Sequence, residues 1–307
     1  MTDTTDVAAT ARRMWALFEP VHVISYFAAE ARDAFEQAGL RGFWRGYFAG
    51  RAAPIGLTGA APVVASFFSF APAMVGRAIP AIWSELITPR DALAIRQAGA
   101  VAALRRLLDL SAEAPVSAPV VAAADLLAAT TADLDCAGRM LAAANAALPI
   151  PEEPLARLWQ AATVLREHRG DGHIAALVAA DLDAPEALAL RAGVDRASDG
   201  AHSHVAVGWQ REQMQPARGW TDDEWDSATS RLASRGLLEA DGTATTAGVA
   251  LHRDLEHATD VAAARPWAAL SSSQAEHLAD LLRPVTVACA AVLPVPNPVG
   301  VPAPAAG

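Results

Sequence analysis

Two short stretches of the chain bring histidines close to carboxylates. The first, "FEPVHVISYF", contains Glu19, His22 and Tyr26 at spacings of three and four residues. Those spacings put the three side chains on one face of a helix. An imidazole beside a carboxylate and a phenol can bind a metal ion or a haem, or can transfer protons as an acid–base pair. The structural alternative is a core histidine hydrogen-bonded to Glu19 beneath packed aromatic rings.

The second stretch, "EHRGDGHI", holds His168, Asp171 and His173 around two glycines. Gly170 predicts the end of one helix, and Asp171 predicts the cap of another that begins near His173. In an unbroken helix, two histidines five residues apart would point roughly 140° away from each other, so only a break lets them converge. The structural alternative places His168 at the last carbonyls of its helix and leaves Asp171 as a cap alone.

The two stretches are similar to each other. "HVISYFAAE" from His22 and "HIAALVAAD" from His173 share a histidine, apolar positions, two alanines and a final acid. If the match reflects a duplication, pseudo-twofold packing would bring His22 and His173 to one site. For that site we predict His173 or His22 as base or metal ligand, and Glu19 or Asp171 as the group that orients it.

Two apolar segments predict a ligand pocket, with the three histidines at its polar end. "FWRGYFAG" and "FFSFAP" supply aromatic rings, and Arg41 and Arg45 can hold an anionic group. Glycines four residues apart, at 42, 46 and 50, leave one helix face bare for the close approach of another backbone. The predicted ligand-binding residues are Tyr26, Arg41, Trp44, Arg45, Tyr47, Phe67, Phe70 and His168. The structural alternative is a close-packed helix with solvated arginines.

Helices must position these residues, and the apolar periodicity predicts helices along nearly the whole chain. Pro20 predicts a kink or a restart in the first helix, and Gly39 predicts its C-terminal cap. A helix from about Val63 to Trp83 is interrupted near Pro72. Thr88, followed by a proline and then an aspartate, predicts the start of a well-marked helix.

Between residues 183 and 260 the order of elements is best defined. Asp183 caps one helix, Thr221 and Glu224 form a capping box on another, and Asp241 with the glycine after it predicts a hairpin turn. Helix, helix, turn, helix, hairpin, helix is the winged-helix order. The fold class is therefore all-α, with a winged-helix unit in the second half and, if the duplication holds, a degenerate related unit in the first.

Three domains are predicted. A helical domain with the apolar pocket-lining segment occupies 1–150, a winged-helix domain occupies 151–265, and a C-terminal helix with an extended Pro-rich tail occupies 266–307. The uncharged tail from Pro284 favours an extended path along a surface or a partner subunit. His202 and His204 fall in a predicted loop.

Composition narrows the functional classes. The chain is 53% hydrophobic and 19% charged, which is typical of a globular protein, and its net charge of −10 gives no broad basic footprint for nucleic acid. Cys136 and Cys289 form no CxxC pair, and the start has no apolar signal core, so we expect a cytoplasmic protein. Residues 52–76 are uncharged, but prolines and glycines divide them into pieces too short to span a membrane.

A resemblance to known families follows from longer segments. "SATSRLASRGLLEADGTATTAGVALHRDLEHATD" resembles the recognition helix, wing and following helix of MarR-type winged-helix regulators, over about residues 183–260. Nearly the whole chain resembles an actinobacterial helix-turn-helix family of largely uncharacterised proteins, some of them in natural-product gene clusters. The segments that carry this are "WALFEPVH", "GLRGFWRGYFAGRAAP", "EHRGDGH", "RGWTDDEW" and "LPVPNPVG". The resemblance implies the fold and a homodimer, and it implies no particular activity.

Charge argues against DNA as a partner. MarR-type regulators place one helix in the major groove and the wing on the backbone, where phosphates favour Arg and Lys. Here the recognition-helix equivalent begins "TDDEWD", and the wing "EADGTATT" lacks the arginine that MarR-type wings usually carry near the tip. Residues 219–260 contain nine acidic residues against three arginines.

The leading interpretation is a winged-helix-derived protein that binds a small apolar or aromatic molecule or a cofactor, with DNA binding lost. Whether it is also an enzyme of secondary metabolism stays open, as does the binding of a metal ion or a haem. The alternatives are a ligand-responsive MarR-like transcriptional regulator and a purely structural dimerisation protein.

Overall fold

In a computed structural model of the protein, the structure describes residues 4–111, 113–197 and 210–294, and these are helical almost throughout. The α-helices are α1 (Thr4–Phe27), α2 (Ala29–Gln37), α3 (Phe43–Ala52), α4 (Ala60–Phe67), α5 (Pro72–Ala81), α6 (Pro89–Leu107), α7 (Ala118–Ala129), α8 (Met140–Ala146), α9 (Pro154–Ala179), α10 (Ala184–Ala197), α11 (Arg211–Arg218), α12 (Asp222–Ser234), α13 (Thr246–Ala262) and α14 (Ser272–Ala290). The predicted all-α class is confirmed.

The chain forms two compact units, each assembled from separated stretches. Within the described residues, the first unit comprises 4–59, 78–172 and 260–293, and the second comprises 60–77, 173–259 and residue 294. These limits differ from the predicted boundaries at 150 and 265. The first division falls inside α9, between Gly172 and His173, and the segment 60–77 joins the second unit although it lies far away in sequence.

The first unit has a helical core through which α9 passes. In it α1 packs against α14, and α2 packs against α6. Large side chains such as Met14, Ile24 and Trp159 are completely or almost completely buried. Each such side chain stabilises the fold by about 2 kcal/mol, because its apolar surface leaves water. The indole Nε1 of Trp159 on α9 donates to the carbonyl of His22 on α1 at 3.2 Å, which places these two helices side by side.

Local capping signals behave as the sequence predicts. Thr88 and Asp91 form a capping box at the start of α6, and Thr221 and Glu224 form one at the start of α12. Each pair satisfies backbone N–H groups that the first helical turn leaves unbonded. After α2, Gly39 takes the left-handed conformation, with φ +90°, so that the chain can turn away.

The predicted restart at Pro20 is wrong. Helix α1 continues through Pro20, and the chain breaks only after Phe27. A proline removes one backbone hydrogen bond inside a helix. Phe18, Val21 and Ile24 are buried on either side of it, and the burial of these side chains outweighs that loss.

The predicted break after Gly170 is also wrong, because α9 is continuous from Pro154 to Ala179. One of the two glycines, Gly172, permits close packing instead of a turn. A Cβ on Gly172 would lie 2.6 Å from the Nη1 atom of Arg139 and 3.0 Å from Cβ of Ala262. A side chain at that position would therefore displace its neighbours, and sequence alone cannot separate this role from a helix end.

The second unit contains the expected helix-turn-helix order without the strands of a wing. Helix α10 packs against α11 and α12, and Gly219 turns the chain between α11 and α12 with φ +78°. The hairpin turn forms, since the N–H of Glu239 donates to the carbonyl of Thr243 at 2.7 Å. Among the described residues its only β pairing is one isolated bridge, Leu238–Ala244, so the predicted hairpin has a turn but no strands.

The remaining fold predictions have mixed outcomes. Residues 60–81 form α4 and α5 with an interruption before Pro72, as predicted, and no helix among the described residues is long and apolar enough to cross a membrane. The extended tail does not begin at Pro284, because α14 passes through that residue to Ala290. Residues 295–307, like His202 and His204, lie outside the described residues.

Candidate functional site

A buried histidine and tyrosine form a dyad in the first unit. The hydroxyl of Thr163 donates to the carbonyl of Trp159 at 2.8 Å, so it accepts from the Nδ1–H of His22 at 3.0 Å. This tautomer leaves Nε2 of His22 as an acceptor, and the Tyr26 hydroxyl donates to it at 2.8 Å. Burial, assisted by the charge of Arg166, holds the pKa of His22 well below its usual range, so the ring is neutral.

Beside this dyad lies a network of buried ion pairs. Arg51 binds Glu167 through two hydrogen bonds, Nε to Oε1 at 2.9 Å and Nη2 to Oε2 at 3.0 Å. Arg166 donates to the same carboxylate at 3.0 Å and lies 3.5 Å from Glu19. Burial alone would raise the pKa of Glu167, but the two guanidinium groups hold it well below the usual range. The carboxylate therefore stays ionised and keeps both arginines in place.

The network contains more positive than negative groups. Arg96 is buried too, but its hydrogen bonds go to neutral acceptors, the carbonyl of Gly50 at 3.0 Å and Oδ1 of Asn145 at 2.9 Å, and its guanidinium lies 5.3 Å from the ring centre of Trp159. Burial lowers the pKa of Arg96 to about 10, which still leaves it charged at neutral pH. Three arginines thus face two carboxylates around the dyad.

An aromatic cavity opens next to the dyad. We name it the Tyr26 pocket; its volume is about 260 Å³ and its lining is Ser25, Tyr26, Arg32, Asp33, Phe35, Glu36, Leu40, Gly42, Phe43, Gly46 and Tyr47. Phe35, Phe43 and Tyr47 supply rings, and the charged residues Arg32, Asp33 and Glu36 are exposed to solvent. Gly46 leaves room for the ring of Phe35, because a Cβ there would lie 3.2 Å from that side chain and would have to push it aside by a few tenths of an ångström. The bare glycine face predicted from sequence therefore receives an aromatic ring and not another backbone.

A second, much smaller cavity lies next to the Tyr26 pocket. It holds about 10 Å³, the space of one water molecule, and its lining includes His22, Arg51, Arg96 and Glu167. Four residues line both cavities: Ser25, Tyr26, Phe35 and Gly46. The hydroxyl-bearing residues Ser25 and Tyr26 thus stand between the aromatic walls and the buried charges.

The predicted site residues in and near "FWRGYFAG" differ in whether they line the Tyr26 pocket. Tyr47 lines the Tyr26 pocket and receives a hydrogen bond from Arg51 at 3.1 Å. Trp44 packs on Tyr47 with ring centres 5.4 Å apart and does not line the cavity. Arg45, and Arg41 just before this segment, are exposed and lie outside the lining of the Tyr26 pocket, so their role as anion holders stays a prediction. Their long charged side chains remain in water because burial without a partner is costly.

Glu19 does not orient His22. Its carboxylate instead accepts from the indole of Trp15 at 3.0 Å and faces Arg166. Burial raises the pKa of Glu19, and the charge of Arg166 partly offsets that rise. Both the catalytic prediction and its structural alternative had paired Glu19 with His22. Thr163, which no local pattern connects to the histidine, takes that role.

His168 and Asp171 face a different part of the first unit. Along α9, His168 follows Thr163 by five residues and so points roughly 140° away from the His22 dyad. His168 is buried, its Nε2 has no hydrogen-bond partner among the described residues, and burial lowers its pKa to about 4. Asp171 accepts from the N–H of Ala142 at 2.9 Å, so it caps α8 and not a helix beginning at His173. Burial raises the pKa of Asp171 to about 6.

His173, Phe67 and Phe70 belong to the second unit. Nδ1 of His173 lies 2.9 Å from Oγ1 of Thr259, whose hydroxyl donates to the carbonyl four residues earlier in α13. The rings of Phe67 and Phe70 lie 6.2 Å apart, and Phe70 lines a cavity of that unit. His22 and His173 thus each hydrogen-bond a different threonine, and His168 shares neither partner. The described residues contain no group of three or more His, Cys, Asp or Glu side chains able to hold a metal ion.

Comparison of the sequence with protein families agrees with the helix-turn-helix order of the second unit. A profile of a helix-turn-helix family matches residues 11–296, which is nearly the whole chain. The protein belongs to this helix-turn-helix family. No curated protein and no solved structure matches the chain. The predicted resemblance is therefore confirmed at the level of a helix-turn-helix family, and the closer likeness to MarR regulators stays a prediction.

The outer surface of α12 in this helix-turn-helix protein is acidic. The first turn carries Asp222, Asp223 and Glu224, all exposed. The one arginine of α11 that faces them, Arg211, is bound by Asp222 at 3.0 Å and by Asp226 at 2.5 Å. The nearest positive charge is therefore engaged by carboxylates, and this surface would repel phosphate.

Sequence reasoning missed the charged network around the dyad, although one signal was present. Glu167 follows Thr163 by four residues and Trp159 by eight, so it lies on the face of α9 that faces the core. A carboxylate on such a face predicts a buried partner. Arg51, which is 116 residues away, could not be identified as that partner without the fold.

Proposed function

We propose that this helix-turn-helix protein binds a small aromatic molecule in the Tyr26 pocket and no longer reads DNA. The observation that carries the proposal is the end of an aromatic cavity at a tyrosine hydroxyl whose hydrogen points to a neutral histidine. A volume of about 260 Å³ is at the small end of ligand pockets and suits one ring with short substituents. Phe35, Phe43 and Tyr47 would hold that ring by stacking and edge contacts.

The polar end of the ligand would meet Ser25 and Tyr26. Because the Tyr26 hydroxyl donates to His22, its oxygen can accept a hydrogen bond from a ligand hydroxyl or amine. The Tyr47 hydroxyl accepts from Arg51 and can donate to the ligand in return. A substituted phenol or arylamine supplies both kinds of partner.

The same dyad could act on a bound molecule as well as hold it. Neutral Nε2 of His22 can accept the proton of Tyr26 while the Tyr26 oxygen takes a proton from the ligand, an acid–base relay that works against the lowered pKa of His22. Binding and catalysis are the two versions of this proposal. A ligand recovered unchanged after incubation with the protein would indicate binding alone, and a chemically altered ligand would indicate catalysis.

Native mass spectrometry of the purified full chain, followed by titration with monocyclic phenols and arylamines, tests the proposal. We expect saturable binding that Phe43→Ala weakens at least several-fold, because it removes one wall of the pocket. Trp44→Ala serves as the matched control, since its ring lies on the same helix outside the lining. Equal loss in both variants, or no binding at all, would contradict the proposal. The same spectra report whether the predicted homodimer forms.

A mobility-shift assay with DNA of the protein's own promoter region tests the alternative of a ligand-responsive regulator. We expect no shift even at low salt, because the exposed face of α12 is acidic and phosphate binding depends on positive charge. A shift that weakens as salt rises would restore the regulator and overturn the loss of DNA binding.

A further inference from the structure

A larger cavity lies in the second unit. It lies against α12, which corresponds to the helix that reads DNA in a helix-turn-helix regulator. It measures about 600 Å³ and is open to solvent along one side of α12. We name it the α12 groove. Its apolar walls come from Phe68, Phe70 and Pro72, which precede or begin α5, and from Trp220 just before α12.

The wall formed by residues 68–72 is fixed to the turn before α12. The N–H of Ala71 donates to the carbonyl of Arg218 at 2.9 Å, and the indole of Trp220 donates to the carbonyl of Ser69 at 3.0 Å. Phe68 takes φ +29°, a conformation that costs energy for a residue with a side chain. The strained backbone is retained at the residue whose ring lines the groove, a pattern that is frequent at ligand sites.

The opposite wall is the outward face of α12. Asp223, Ser227 and Arg231 are spaced four residues apart, so they share one face, whereas Trp225 and Leu232 are buried in the unit's core. In a DNA-reading helix-turn-helix, the outward face of the second helix meets the bases. In this protein part of that face lines an apolar groove instead.

The charges along the groove are negative on balance. Three carboxylates, Asp183, Asp223 and Glu224, line it together with one arginine, Arg231. That arginine is already bound by Asp183, and by Glu186 at 3.0 Å. The carboxylate of Glu224 accepts from the N–H and the hydroxyl of Thr221. Among the described residues Asp223 has no ion-pair partner, so it is the carboxylate available to a ligand.

We propose that the α12 groove binds an organic cation with an aromatic body, such as an arylalkylammonium ion. The aromatic part lies against Phe68, Phe70 and Trp220. The guanidinium of Arg218 already lies 4.5 Å from the ring centre of Phe70, so the faces of Phe68 and Trp220 are the ones that favour the ligand's positive charge. The ammonium group lies at Asp223. This site is separate from the Tyr26 pocket and does not depend on the function proposed for that pocket.

Equilibrium titration with 2-(1-naphthyl)ethylammonium, 2-(1-naphthyl)ethanol and 1-naphthylacetate tests the proposal, because the three probes share a ring and differ in charge. We expect the ammonium ion to bind tightest and the carboxylate weakest, with the difference shrinking as salt rises. Asp223→Asn should weaken binding of the ammonium ion about threefold, as for a solvent-exposed ion pair, and leave the alcohol unchanged. Asp226→Asn is the matched control, since Asp226 is on the same helix but outside the lining.

Phe68→Gly tests the aromatic wall, because glycine accepts a positive φ at no steric cost and this gain offsets part of the lost packing of the Phe68 ring on the core of its unit. We expect this variant to fold and to lose affinity for the ammonium probe, and Phe43→Ala in the Tyr26 pocket to leave that affinity intact. Equal affinity for the alcohol and the ammonium ion, equal effects of Asp223→Asn and Asp226→Asn, or unchanged binding in Phe68→Gly would each overturn the proposal.

Discussion

Nδ1 of His22 and Oγ1 of Thr163 lie 3.0 Å apart, although the two residues are 141 positions apart in sequence and lie on different helices. Nδ1 of His173 stands in the same relation to Thr259 at 2.9 Å, and both hydroxyls donate to the carbonyl four residues earlier. The two histidines begin the similar nonapeptides of the sequence. The two threonines do not correspond in that match, because its offset of 151 residues places the counterpart of Thr259 at Leu108, so each histidine has a threonine partner of its own and the duplication stays a prediction.

Thr163→Val should show that the threonine fixes the tautomer of His22. Valine has nearly the same shape but cannot accept the Nδ1–H, so a buried donor loses its partner, which costs about 1–3 kcal/mol of unfolding free energy. Urea unfolding measures that loss, and ¹⁵N spectra of the imidazole report the tautomer. Thr131→Val is the control, because the hydroxyl of Thr131 donates only to a carbonyl of its own turn. A loss no greater than in the control would refute the assigned roles.

Glu167→Gln should destabilise the first unit strongly. The variant leaves Arg51 and Arg166 buried without their shared carboxylate, and breaking such a pair costs about 3–5 kcal/mol. Chemical denaturation measures the difference. Glu276→Gln removes an exposed partner of Arg13 and should cost less than about 1 kcal/mol. If the two variants lose similar stability, the network does not hold the core together.

The sequence predicted local signals correctly and failed where the outcome depends on tertiary contacts. Caps such as Thr88, Thr221 and Gly39 are local signals, and the structure has them where they were expected. The glycines at 170 and 172 failed as helix-end signals because the approach of Arg139 to Gly172 depends on the tertiary fold. A local pattern cannot distinguish a glycine that turns the chain from one that makes room for another helix.

The candidate site follows the same division. The pairing of His22 with Tyr26 could be expected because four residues separate them on one helix. The pairing of Arg51 with Glu167 and the transfer of segment 60–77 to the second unit could not, since both depend on contacts across more than 100 residues. Neither Arg51 nor Glu167 is among the site residues predicted from the sequence, because the partner of each becomes visible only in the folded chain.

Asp171 and His168 should have opposite effects on how the free energy of unfolding changes with pH. The folded-state pKa of His168, about 4, is below its unfolded value of 6.5, so its contribution is lost as pH falls from about 6.5 to 4. The folded-state pKa of Asp171, about 6, is above its unfolded value of 3.8, so its contribution is lost as pH rises from about 4 to 6.

Variants at these two positions separate the contributions between pH 4 and pH 6.5. Asp171→Asn removes the group that makes the fold more stable at acid pH. The unfolding free energy of this variant should therefore fall more steeply than the parent's as pH decreases. His168→Gln should give the reverse slope. Thermal unfolding across this pH range measures both slopes. Parallel curves for the parent and the two variants would contradict the burial-driven pKa shifts.

Tyr26→Phe should separate recognition of a polar group from the filling of the Tyr26 pocket. The ring remains, so the aromatic walls keep their shape, but the ligand loses an acceptor and His22 loses a donor. Affinity for a phenol should drop about fivefold, the value of one hydrogen bond near 1 kcal/mol, while affinity for the corresponding methylbenzene stays the same.

Titration of both ligands against the parent and Tyr26→Phe, with Tyr47→Phe beside it, measures these effects. Tyr47 lines the same cavity, its hydroxyl accepts from Arg51, and it is not part of the dyad. A phenol that uses the Tyr26 oxygen as acceptor must therefore lose affinity in Tyr26→Phe, whatever happens at Tyr47. Equal losses for the phenol and the methylbenzene would mean that the substitution had changed the walls, and the dyad would have no part in recognition.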